Sequence, residues 1–302
     1  MDNKTFCLQL GIPTVPITSY AAAAKYFNKV INERVVPNAS KNGETYVVGP
    51  EFLDLLYGMI ATNEHGVPFP TPDTIRSIAE TSWEQFSRHM STCASKNRVW
   101  LSGTCLMPTD TGVKNMSVVF DSTGRLVHKC PKVFLTPKEI DMGIVPGKFS
   151  EITILETTEW GRIGFPTCFD NFSKEVMDVY ASLDPQRLHV GSFGTSKWDD
   201  YESEEFGGDN PRWQPDAWLD VTIRSFRKLP TVKVIFNSFW SGTSPIGTCI
   251  PQSAITKSHT RNKKMVQCPY VGMNDMDMPH LFEWCASMRE GTQVGYYWNH
   301  QD

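Results

Sequence analysis

The chain has 302 residues, 40% of them hydrophobic and 21% charged, which is enough apolar material for one large core or two modest ones. A net charge of -4 and a pI near 6.0 give no basic footprint for nucleic acid, and no stretch reaches the roughly 18 apolar residues of a membrane-spanning helix. The start, MDNKTFCLQL, lacks the basic end and long apolar run of a secretory signal, so a cytoplasmic address is expected.

Phe6 to Gly11 reads as a buried first strand. A turn on Pro13 and Pro16 follows, then an alanine-rich helix from about Ser19 to Val35 with Tyr20, Ala24, Phe27, Val30 and Ile31 near helical spacing. After a polar loop, Asn38 to Gly43, the run Tyr46-Val47-Val48 ends in Gly49-Pro50-Glu51, and proline cannot continue a central strand. Glu51 should therefore sit just past a strand end, where α/β proteins place reactive groups. A loop from Asn63 to Pro72 leads into a helix from Pro72 to about Lys96. Thr71 is placed to cap this helix, and Ile75, Ile78, Ala79, Trp83, Phe86, Met90 and Cys93 form its core stripe. Val99 to Leu106 reads as a strand, and Met116 to Phe120 with Arg125 to His128 as a hairpin around Asp121 to Gly124. This succession predicts an α/β layered architecture.

Lys132 lies in HKCPKVFLTPKE, directly after that hairpin. Ile152 to Leu155 and Arg162 to Gly164 pair as a second hairpin leading to Cys168, and Ser173 is placed to cap a helix from Lys174 to about Leu183. His189 to Phe193 is a further strand. The aromatic segment Ser196 to Ala217, with Trp198, Tyr201, Phe206 and Trp213, is a long loop of the kind that serves as lid, pocket wall or interface. Trp218 to Leu229 reads as a helix and Thr231 to Phe236 as a strand. Ile250 to Thr256 and Met265 to Val271 read as a closing pair of strands around the basic turn Thr260 to Lys264. No repeat or linker is apparent, so 1–302 is expected to form one domain, its tail from about residue 272 without an assigned role.

Eight cysteines without a CxxC pair predict reduced thiols, no zinc site and no other cofactor. Cys168 stands apart because it falls where a short apolar strand gives way to a helix, a junction whose amides stabilise a thiolate or an oxyanion. An ordinary thiol is mostly protonated at neutral pH, so a nucleophilic Cys168 needs a base and a positive charge. Glu51 is the candidate base. Lys132 and the backbone N–H of Phe169 are candidate donors to the developing oxyanion. The sequons at Asn38, Asn115 and Asn171 are read as chance.

VVGPEF around Glu51, GRLVHKCPK with VFL around Lys132, and GFPTCFDNFSKE around Cys168 resemble, in order, the three signatures of the nitrilase (carbon-nitrogen hydrolase) superfamily. The likeness spans Phe6 to about Thr256. It implies a four-layer α-β-β-α sandwich and hydrolysis of a nonpeptide C–N bond of a small amide through a Cys168 thioester, catalysed by Glu51, Lys132 and Cys168. It also implies a role for Glu139 in positioning substrate and the catalytic lysine, substrate contacts at Phe169 and Trp198, and a homodimer or larger homo-oligomer. The spacing from Gly124 selects Lys132 over Lys129. Phe172 and Pro166 depart from the amidase pattern. Phe169 and Asp170 favour an amidase over a nitrilase, while Asn171 is reminiscent of the nitrilase branch. Nitrile hydrolysis is therefore the alternative, followed by a non-catalytic member that binds a ligand or partner. A papain-like site lacks a matching histidine signature, and serine-hydrolase and nucleotide-binding fingerprints are missing.

Overall fold

The computed structural model describes residues 3–10, 19–54, 71–193, 225, 228–232, 234–240, 248–251 and 271–272. The 196–217 segment with Trp198, most of the loop expected over 63–72 and of the helix over 218–229, the basic turn 260–264 and the tail beyond 272 lie outside these residues. Packing divides the chain into two compact units, one of Met1–Phe6 and Ile12–Ile152, the other of Cys7–Gly11 and Thr153–Asp302.

The first unit is built on four strands, β2 (Thr45–Val48), β3 (Trp100–Thr109), β4 (Gly112–Phe120) and β5 (Leu126–Pro131). β2 runs parallel to β3, and β3, β4 and β5 follow as an antiparallel meander. The β3–β4 hairpin is longer than the sequence suggested. β3 and β4 extend past the expected Leu106 and Met116 limits, and Pro108 pairs opposite Val113 beside the turn, at the end of the ladder. α1 (Tyr20–Val30) is capped by Ser19, whose side chain accepts from Ala22 N. The expected helix to Val35 does continue, but its last turn, Ile31–Val35, is π-helical and passes into a short 3-10 turn at Pro37. α2 (Pro72–Asn97) has the predicted Thr71 cap and ends at Arg98 in the left-handed conformation. Its Ile75, Ile78 and Ala79 pack with Leu106, Val113, Leu135, Met142 and Ile144 in one buried cluster. That cluster fastens the Leu135–Ile144 segment, which carries Glu139, to the sheet.

In the second unit β7 (Gly161–Gly164), β8 (Arg187–Gly191) and β9 (Val234–Trp240) run parallel. β6 (Ile154–Thr157) is antiparallel on β7, and the end of β1 (Lys4–Leu10) is parallel to β9. α3 (Pro137–Asp141) belongs to the first unit. α4 (Lys174–Leu183) here connects β7 to β8 and starts, as expected, behind a Ser173 cap. It sits tightly on the sheet: a Cβ at Gly164 would meet Leu188 Cδ2 at 2.9 Å and the Tyr180 ring at 3.0 Å. β6 and β8 are each displaced by two residues from their expected positions, because runs of apolar residues fix strands better than strand ends. Of the closing pair expected near the C-terminus, residues 252–270 lie outside the described residues. β10 (Thr248–Pro251) pairs antiparallel with β9, and β11 (Val271–Gly272) pairs parallel with β1. No helix among the described residues is long and apolar enough to cross a membrane.

Candidate active site

Three of the sequence-selected residues meet in the first unit. β2 ends at Val48, and the following segment lies flat against β3: Gly49 N donates to Ser102 O at 2.6 Å, Thr104 N to Pro50 O at 3.3 Å and Leu53 N to Thr104 O at 2.7 Å. This close approach needs glycine, since a Cβ at Gly49 would lie 2.9 Å from Ser102 O. Phe52, next to Glu51, is forced to φ 53°, a left-handed conformation that costs a bulky residue on the order of 1–3 kcal/mol. Glu51 is thereby held just past the carboxyl end of a parallel strand, and its side chain is only 1% exposed.

Lys132 follows β5 directly. Its backbone N–H donates to Asn115 O at 2.8 Å, one step beyond the Met116–Pro131 pair, and its carbonyl accepts from Gly147 N at 2.9 Å. The side chain is buried. Lys132 Nζ donates to Glu51 Oε1 at 2.8 Å and to Glu139 Oε2 at 2.6 Å. A buried ammonium is tolerable only with such partners. Lys129, the rejected rival, is exposed on β5.

Glu139 is placed by a capping box that the TPKE sequence encodes. Its N–H donates to Thr136 Oγ1 at 3.2 Å, and its Oε2 accepts from Thr136 N at 2.9 Å. The carboxylate that starts α3 is thus also the second partner of Lys132. A residue not selected from sequence completes the cluster: Asn115 Nδ2 donates to Glu51 Oε1 at 2.8 Å and to Glu139 Oε1 at 3.0 Å. Asn115 is fully buried, which excludes glycosylation of this sequon in the folded chain. The available signal was an amide midway along the buried strand GVKNMSVVF. Another buried acid, Asp54, lies three residues past Glu51, its Oδ2 accepting from Leu106 N at 2.9 Å. Burial pushes its carboxyl up to about 7, although the N–H of Leu106 and its own N–H pull the other way.

The second unit carries Cys168. β7 ends at Gly164, and Cys168 opens a 3-10 turn, Cys168–Phe172, before Ser173 caps α4. The α-helix therefore starts six residues past the cysteine, at Lys174 as expected, because the Ser173 hydroxyl accepts from Val176 N. Asp170 and Asn171 brace the turn that opens with Cys168. Asp170 Oδ2 accepts from Thr167 N at 3.0 Å, and Asn171 Nδ2 donates to Cys168 O at 3.0 Å. Cys168 is held at φ 43°, a conformation in which non-glycine residues concentrate at functional sites. It is half-buried, whereas Cys7, Cys93, Cys105 and Cys130 are buried. The Phe169 ring is half-buried beside Phe172, with centroids 5.6 Å apart. Among the described residues no group of three or more His, Cys, Asp or Glu side chains could hold a metal ion.

No protein-family model matches the chain, and a search of the curated proteins finds no match. Solved structures do match. A carbon-nitrogen hydrolase from Helicobacter pylori G27 is 14% identical with a TM-score of 0.56, over 82% of this chain and 79% of that one. A mutant of the Nesterenkonia sp. AN1 amidase, from the nitrilase superfamily, is 11% identical with a TM-score of 0.55, over 81% of each chain. A second mutant of that amidase, showing Michael addition of acrylamide at its active-site cysteine, is 12% identical with a TM-score of 0.54, over 81% of this chain and 83% of that one. The chain has the mixed α/β fold of these proteins.

Proposed function

We propose that this chain is a thiol amidohydrolase of the nitrilase superfamily, cleaving the nonpeptide C–N bond of a small amide. The observation that carries the reading is the buried cluster in which Lys132 Nζ bridges Glu51 at 2.8 Å and Glu139 at 2.6 Å. Three residues selected by motif meet there in a place where stability alone does not favour charge. The strained turn at Cys168 and the fold of the amidase neighbours support it further.

Cys168 is assigned as nucleophile and Glu51 as general base. Glu51 takes the thiol proton as Sγ attacks the amide carbon, and the charge on the former carbonyl oxygen is met by the Lys132 ammonium and the N–H of Phe169. Collapse of the tetrahedral intermediate breaks the C–N bond, and Glu51 returns the proton to the departing amine. Water then enters, Glu51 removes its proton, and the thioester opens to acid and free thiol. Amide and water are the only reactants, so the cycle uses no cofactor. Glu139 orients Lys132, and Phe169 and Trp198 are assigned to substrate contact. The proposal extends to a cytoplasmic homodimer or larger assembly, which size-exclusion chromatography with light scattering tests; a monomer at micromolar concentration contradicts it.

The test is ammonia release from a panel of small amides, ω-amides, N-carbamoyl compounds and nitriles. Acrylamide, which a mutant of the Nesterenkonia amidase binds, goes first. Wild type should act on an amide and Cys168→Ala on nothing. Preference for a nitrile would move the chain to the alternative branch, and silence of wild type across the panel would leave the ligand-binding reading.

A further inference from the structure

The Glu51–Lys132–Glu139 cluster holds two carboxylates against one ammonium. Two carboxylates sharing one site tend to retain a proton between them, and a base that already holds a proton cannot accept one from a thiol. The Lys132 ammonium offsets one of the two negative charges, and uncharged N–H donors can stabilise the other. We propose that Asn115 is a positioning residue that acts through Glu51 and Glu139, its two amide N–H groups holding the carboxylates ionised on either side of Lys132 so that Glu51 remains a competent base. This rests on the hydrolase reading above.

Asn115 reaches both acids from β4, at 2.8 Å to Glu51 Oε1 and 3.0 Å to Glu139 Oε1. The amide orientation is dictated by chemistry, because the flipped group would turn its oxygen toward two carboxylates. Its Oδ1 has no hydrogen-bond partner, so the side chain leaves an acceptor unsatisfied while both donors serve the acids. Burial of an amide on those terms is unfavourable for packing alone. Its backbone ties it to the same site, since Asn115 O accepts from Lys132 N at 2.8 Å. Among the described residues, the charged and titratable groups it contacts on the neighbouring elements are Glu51 after β2, Lys132 after β5 and Glu139 on α3. Asp54 reaches the N–H of Leu106, the residue opposite Asn115 on β3, and the adjacent Lys114 is engaged by Glu151.

Asn115→Ala and Asn115→Asp test the assignment together. Aspartate keeps the shape but replaces the donors with a third carboxylate, so positioning of charge makes it the worse of the two, whereas a packing role makes alanine worse. In wild type the acidic limb of the kcat/KM profile reports protonation of the base. Asn115→Ala should move that limb up by about one pH unit or more, with kcat falling at least about tenfold at neutral pH and KM changing less. Melting at pH 5 and pH 8 gives a readout independent of turnover. The donors stabilise ionised carboxylates, so each variant should lose more stability at pH 8 than at pH 5. A variant folded only at the lower pH supports the assignment. Equal losses at both, including failure to fold at either, place Asn115 in the core and overturn it. An active wild type whose variants keep its pH profile also overturns it. A wild type inactive on every amide refutes the hydrolase reading instead.

Discussion

Asp54 offers a test of the local electrostatics that does not depend on any substrate. Its carboxyl is buried beside β3, and burial raises its pKa from 3.8 to about 7. A carboxylic acid whose folded pKa lies above its unfolded one holds a proton in the native state that the unfolded chain has released. Its contribution to stability is therefore greatest below pH 4 and is lost as the pH rises to about 7, the native acid costing on the order of 4 kcal/mol once ionised. In an Asp54→Asn variant the new side-chain oxygen would still accept the N–H of Leu106, now 2.9 Å from Oδ2, but the amide cannot ionise. The amide N–H groups would meet the surroundings of Oδ1, which lacks a partner, at a cost of about 1–3 kcal/mol. The net expectation at pH 8 is a gain of about 1–3 kcal/mol, a rise of several degrees in Tm for a chain of this size. At pH 4 the variant should be the less stable protein. Thermal melts of both proteins from pH 4 to pH 8 read the crossing directly. Equal destabilisation at every pH would refute the argument, showing that Asp54 does not carry a burial-driven titration.

Lys132→Met should lose about a hundredfold or more in turnover and, because it strands two buried carboxylates, about 3–5 kcal/mol of stability at neutral pH. An active, undiminished Lys132→Met enzyme would move the oxyanion role elsewhere, and undiminished stability would contradict the bridging geometry. Cys168→Gly should abolish turnover yet raise stability by about 1 kcal/mol, since glycine adopts φ 43° without strain. A melting temperature below that of Cys168→Ala would show that the turn is not strained.

Local chemistry makes much of this protein legible in its sequence alone. Thr71 and Ser173 cap the helices they were expected to cap, because capping depends on residues three positions apart. Of the expected apolar stripe, Ile75, Ile78, Ala79, Phe86, Met90 and Cys93 are buried as their spacing required, while Trp83 is only half-buried. Glu51 falls past a strand end because Pro50 cannot extend one. The π-helical turn at Ile31–Val35 and the hairpin end at Pro108 were not legible, since both override local preference through packing and pairing.

For the candidate site, the sequence by itself determined which acid, which cation and which thiol to consider, through motif order and the chemistry each type can perform. Only the tertiary structure decided how the charges are held. Glu139 was expected near Lys132, but its 2.6 Å contact depends on a capping box and a return loop packed on α2. Asn115 was invisible as a functional residue because its partners lie 64 and 24 positions away. The register of β3, β4 and β5 brings them together, and a one-residue slip would turn Asn115 to the opposite face. Short-range spacing is written in the chain, but which buried donor meets which carboxylate is set by strand register and close packing.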